Sequence, residues 1–164
     1  MKSNIKRVLS LFIACFIIFT IPVQASRDNY SSHKVKVQEY TEKLNRMQKN
    51  VFVFASRVLF DQNESSQESN AKSIKSGCNH LDIMAKEINA QIGVDENNLE
   101  FDEEYLLLIN AINYIKSSLY ALNALNIQKM PVEKMETIDR YSNFRLYADS
   151  TIELVNRLVE QKYK

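Results

Sequence analysis

The sequence predicts an all-α fold: an up-down-up-down antiparallel four-helix bundle behind an N-terminal export signal. Three observations carry that expectation. Apolar residues recur at alternating steps of three and four through four successive segments, which is the spacing of one helical face. The 164-residue chain holds only two Gly and two Pro, and no segment alternates as a half-buried strand does. The first 25 residues stand apart by composition: MKSNIKR, an apolar run, then small residues at the end. That pattern is the signature of a secretory signal peptide.

Within the leader, Lys2, Lys6 and Arg7 supply the positive end, and no acidic residue precedes Asp28. Val23 and Ala25 occupy the small-residue positions of a cleavage site, predicting a mature start at Ser26. The apolar run from Val8 to Val23 is about 16 residues, short of the roughly 20 that a spanning helix needs. A lipoprotein reading would make Cys15 the acylated residue, but Phe12 stands where such sites carry Leu, and mostly apolar residues continue beyond Cys15. Export to the periplasm or the exterior of a bacterial cell is the expectation, with a membrane role only if the leader stays on.

The polar stretch 26–36 reads as a flexible lead, and residues 37–164 as the bundle, with helices at about 37–62, 66–92, 102–126 and 131–162. In the first helix the stripe is Val37, Tyr40, Leu44, Met47, Val51, Phe54 and Val58. A polar break at 61–66 follows, where Ser65-x-x-Glu68 forms a capping box for the second helix. That helix carries Ala71, Ile74, Cys78, Leu81, Ala85, Ile88 and Ile92, and ends at Gly93, a residue suited to the left-handed turn that closes helices.

The third stripe is Phe101, Tyr105, Leu108, Ile112, Ile115, Leu119 and Leu122, with Asp102, Glu103 and Glu104 favouring the positive N-terminal end of the helix dipole. Pro131 suits the first turn of the fourth helix, where its missing amide hydrogen costs nothing. There the stripe is Ile138, Tyr141, Phe144, Ala148, Ile152, Val155 and Val159. Connections this short join antiparallel neighbours. Heptad-like spacing also suits an elongated hairpin. The runs Val51-Phe52-Val53-Phe54 and Leu106-Leu107-Leu108-Ile109 are apolar over most of a turn and favour a compact bundle.

Charge limits the partners. The chain has 21 Lys+Arg and 20 Asp+Glu; the leader holds three of the bases and no acid, leaving 18 against 20. A near-neutral body without a basic stripe argues against nucleic acid and against electrostatic docking on anionic lipid. Once Cys15 leaves with the signal, Cys78 is alone, so no internal disulfide is expected and stability must come from packing. The Cys78 position on a helical stripe marks it as a small core residue. Two glycosylation sequons, at Asn29 and Asn63, are what an Asn- and Ser-rich chain contains by chance.

No catalytic, metal or cofactor signature emerges. His80 faces about 200° away from Cys78 on a helix, so the two cannot share a metal. His80 and Met84 share a face, but two weak ligands fall short of a site. Neither His33 nor His80 follows a Glu at the spacing used by di-iron bundles. The acidic run 95–104 offers many oxygen ligands, yet lacks the Asp or Asn and the Gly that let a calcium loop wrap its ion. There is no nucleophile elbow and no phosphate-cradling glycine run. Arg145 lies beside the fourth stripe and reads as a side chain that snorkels out past Phe144.

What remains is surplus apolar surface. Phe52 and Leu59 are seven apart and off the main stripe of the first helix, and Phe60 adjoins them. They are the candidate partner-binding residues, the competing reading being that the helix end is sandwiched on two sides. The functional expectation is therefore a non-catalytic exported bundle that binds another exported or envelope protein, of the immunity, inhibitor or adaptor type. The alternative is a periplasmic chaperone, or a carrier of a small ligand or metal in the bundle interior, lined by Tyr105, Tyr114, Met84 or His80.

Overall fold

The computed structural model describes residues 30–60, 63–93 and 102–162 in full, and the backbone alone of 2–29, 100 and 101. The chain forms four helices and, among the described residues, no strand: α1 Lys2–Phe60, α2 Glu64–Asn89, α3 Glu100–Ile127 and α4 Pro131–Lys162. The signal-peptide reading, with cleavage after Ala25, falls on residues outside those described in full.

The stretch expected to be a flexible lead is helical instead. α1 runs through residues 26–36, and His33 is buried there. The segment contains neither Gly nor Pro, and His33 lies four residues before Val37, on the same helical face. The stripe thus begins one turn before hydropathy alone marks it. Its first member is a histidine whose ring meets that of Tyr105 edge to face, with centroids 4.8 Å apart.

The start of α2 also differs in detail. The expected capping box at Ser65 is replaced by Asn63, whose side-chain oxygen accepts a hydrogen bond from the Ser66 amide at 2.8 Å. Asn ranks with Asp and Ser as an N-cap because its short side chain reaches an otherwise orphaned amide. At the far end, α2 closes through a turn to Gly93, whose φ of 72° lies in the left-handed region. The Gly93 amide donates to the Asp102 carboxylate at 3.0 Å, tying the end of α2 to the start of α3.

Side-chain bonds show which ends meet. Lys36 donates to Gln91, near the end of α2. Asn70, near the start of α2, donates to Asn126 near the end of α3, and Asn126 in turn donates to the Gln67 carbonyl. Gln48 in α1 reaches Arg145 and Asp149 in α4. Lys162, at the end of α4, pairs with Glu103 and Glu104 at the start of α3. Consecutive helices therefore run antiparallel, and α1 runs parallel to α3.

α3 is the central helix. It packs more extensively than α1, the other helix that touches all three, and α2 and α4 do not meet among the described residues. Its buried face is accordingly wider than one stripe: Leu108, Ile112, Ile115, Leu119 and Leu122 are joined by Ala111, Ser118, Ala121 and Leu125. Each fully buried Leu or Ile contributes about 1.5–3 kcal/mol, so this helix anchors the core. α2 lies close against it at Gly77, where an added Cβ would stand 3.3 Å from Leu119 Cδ1.

Candidate functional site

The three residues singled out by sequence sit on the last part of α1. Phe52 and Leu59 share one flank of the helix, the flank that Gln48 turns toward α4. They are not sandwiched within the bundle: Phe52 is 54% exposed, Leu59 is part-exposed, and Phe60 is 88% exposed. Val53, from the same apolar run, is exposed as well, while Val51 and Phe54 turn inward. The run Val51–Phe54 therefore divides between core and surface.

Sequence reasoning missed the rest of this surface. Because the start of α2 pairs with the end of α3, Phe60 lies at the same end of the helical array as the α3–α4 connection. That connection and the first turns of α4 expose Ile127, Met130, Val132 and Met135. Connections between helices are ordinarily polar, so apolar residues here were the available signal. Further along α3 and α4 lies a groove, a cavity of about 240 Å³ lined by Ser117, Tyr120, Ala121, Ala124, Arg140 and Phe144.

Beside Phe52, the α1–α4 seam is polar and incompletely bonded. The Arg145 guanidinium lies over the Phe52 ring, 4.9 Å from its centroid. Arg145 is thus held across the seam, where sequence placed it snorkelling outward. The buried Gln48 amide donates to the Arg145 carbonyl at 3.3 Å and to the Asp149 carboxylate at 3.1 Å. Gln48 Oε1 is buried without a hydrogen-bond partner, and the buried Tyr141 hydroxyl faces the Arg145 side chain. Burial raises the Tyr141 hydroxyl above its ordinary pKa, and the neighbouring Arg145 charge only partly offsets this.

The opposite end closes with charge. Glu104, read from sequence only as a favourable charge at a helix start, is 0% exposed. Its carboxylate stands 2.9 Å from Lys162 Nζ and 3.7 Å from His33 Nε2. Burial pushes the Glu104 carboxyl up, but the His33 and Lys162 groups beside it outweigh that and hold it below the usual value. Burial raises the adjacent Tyr105 hydroxyl to about 12. The cluster has the chemistry of a buried, compensated charge network joining α1, α3 and α4.

The remaining sequence candidates do not converge. Cys78 is buried, and burial raises its thiol above the ordinary value, which disfavours the reactive thiolate. His80 is exposed, its Nδ1 2.8 Å from the Ser76 carbonyl. Met84 packs on the core, and Tyr105 belongs to the His33 cluster. Tyr114 stacks at an angle on Tyr147 of α4. The residues expected to line an interior ligand cavity thus lie in separate places. Of the acidic run, residues 94–99 fall outside the described residues. Among the residues described in full, no cluster of three or more His, Cys, Asp or Glu could hold a metal, and no helix is long and apolar enough to cross a membrane.

No known family, curated protein or solved structure matches the chain.

Proposed function

We propose that this chain is an exported, non-catalytic protein whose mature part is an up-down-up-down antiparallel four-helix bundle. It acts by binding another exported or envelope protein, in the manner of an immunity protein, inhibitor or adaptor. One observation carries the binding reading: of the exposed apolar side chains, a group gathers at the end where α1 stops and α4 starts, while others, such as Val35, Ile83, Leu106 and Leu146, stand singly elsewhere. Leu59 and Phe60 of α1 stand there with Ile127, Met130, Val132 and Met135, and Phe52 lies two turns back along α1. Scattered exposed apolar residues are ordinary, but a group gathered at one end that includes Phe and Met has the composition of an interface.

The test is affinity capture of the tagged protein from its native cell envelope after crosslinking, run beside Phe60→Asp. The reading expects one stoichiometric protein with wild type and its loss with the variant. Equal capture by both, or no protein with either, would overturn it. Intact mass of the exported form tests the leader: a chain starting at Ser26 is expected, and retention of residue 1 contradicts cleavage. The α3–α4 groove favours the small-ligand alternative over an interior carrier. At about 240 Å³ it is below the roughly 300–1,000 Å³ of typical ligand pockets, so the protein-binding reading stands first.

A further inference from the structure

We propose that the groove between α3 and α4 binds a small aromatic carboxylate, a flat ring bearing one anionic arm. The groove exists because α3 turns small side chains toward α4 there: Ser117, Ala121 and Ala124 line a space of about 240 Å³. One turn further along both helices, Tyr114 and Tyr147 meet with ring centroids 5.5 Å apart and close the interface. At the groove the same helices supply Tyr120 and Phe144, whose rings line the space without stacking on one another. The Tyr120 hydroxyl faces the Cys78 thiol of α2, so Tyr120 offers the groove its ring. A flat ligand placed between the two helices thus meets one aromatic side chain from each, in pairings that add to the apolar area buried.

Charge selects the anionic arm. Arg140 is the one charged residue lining the groove. One of its guanidinium nitrogens donates to Thr137 Oγ1 at 3.2 Å, which steadies the fork and leaves its other donors available. Among the described residues, no carboxylate stands within ion-pair distance of it. Glu136 precedes Arg140 by the spacing that joins Glu39 to Lys43 and Glu68 to Lys72, yet this pair does not form. Asp139 accepts from Asn143 instead. The α3 wall has no acid from Tyr105 to Ile127, and its one base, Lys116, pairs with Asp82 of α2. The groove therefore presents a cation without an internal anion. Arg140 is exposed, so an incoming carboxylate reaches it directly and is held through two parallel hydrogen bonds. The volume lies below that of drug-sized pockets and limits the ligand to a small ring system.

The probe is indole-3-acetate, compared with indole-3-acetamide, which keeps the ring and loses the charge. Each is titrated into the purified protein and followed through backbone amide NMR shifts. The acid is expected to move the amides of residues 117–124 and 140–144, and to bind about tenfold more tightly than the amide, the effect of one charge-assisted contact. Arg140→Gln should bring the two to equal affinity, and Ala124→Phe, which fills the groove, should abolish the binding of both. Equal affinity of acid and amide for wild type, or no shifts at millimolar acid, overturns the site without needing any variant to fold. Shifts that persist in Ala124→Phe overturn it as well, because the ligand then sits elsewhere. Phe60→Asp, at the apolar end, should bind the acid as wild type does, and loss there would also place the ligand outside the groove. Failure of the groove leaves the protein-binding reading standing, since that reading rests on the apolar end.

Discussion

The two ends of the helical array solve opposite problems. At one end, Glu104 is fully buried and its carboxylate is answered by Lys162 and His33, so three helices are tied together around a charge that water does not reach. At the other, Phe60, Ile127, Met130, Val132 and Met135 are presented to solvent with no intramolecular use for their apolar area. A polar group inside and apolar groups outside both carry a free-energy cost. The charged end offsets its cost within the chain. The apolar end can recover its cost only by covering itself with something else, which is why function is assigned there and the His33 cluster is read as architecture.

Substitutions can break that contrast in graded steps. The largest effect is expected midway between the ends, where Ile112→Asp would bury an unpaired carboxylate in the core of α3 and abolish cooperative unfolding. A normal thermal transition for this variant would contradict the α3 packing. Glu104→Ala comes next. It removes the carboxylate beside the His33 imidazole and one of the two acceptors of Lys162, and should cost about 2 kcal/mol by urea denaturation.

The same carboxylate gives the charged end a pH dependence. Because Glu104 titrates below the ordinary glutamate value of 4.5 in the folded state, the folded protein binds the proton less readily than the unfolded chain. Its contribution is therefore present above pH 4.5 and is lost as the pH falls through the depressed folded value. Urea midpoints measured from neutral to acid pH should show less acid loss in Glu104→Gln than in wild type. Equal slopes would show that the pairing does not hold the carboxyl down.

Smaller effects belong to the other end. Asn63→Ala removes the α2 N-cap and should cost about 1 kcal/mol, readable as a lowered urea midpoint with unchanged slope. Phe60→Asp should change stability by less than about 0.5 kcal/mol, because the side chain is almost fully exposed, while still abolishing partner capture. A large destabilisation by Phe60→Asp would mean that the residue is structural and the contrast between the ends is false.

Hydropathy period made much of this legible. Val37, Leu44, Val51 and Val58 in α1, and Tyr105 through Leu122 in α3, are buried as their three-and-four spacing requires. The burial of His33, Gln48, Glu104 and Asn126 was not legible. Each is polar and reads as surface in its own segment, and becomes tolerable inside only beside a partner distant in sequence. Asn63 outcompetes Ser65 as the cap for a similar reason, since local motifs propose several caps and the chain path selects one. At the candidate site, Phe52, Leu59 and Phe60 could be singled out by leaving the stripe, but Met130 and Val132 join them only through the fold. Arg145 lies near the stripe of α4, and only the α1 contact reveals what it faces.

The most direct test of the central claim places a photocrosslinking amino acid at Phe60 in one protein and at Glu103 in another, with both activated in the native cell envelope. The account predicts a discrete protein adduct from position 60 and none from position 103, which lies at the charged end. Adducts at position 103 alone, or the same adducts at both positions, would contradict it.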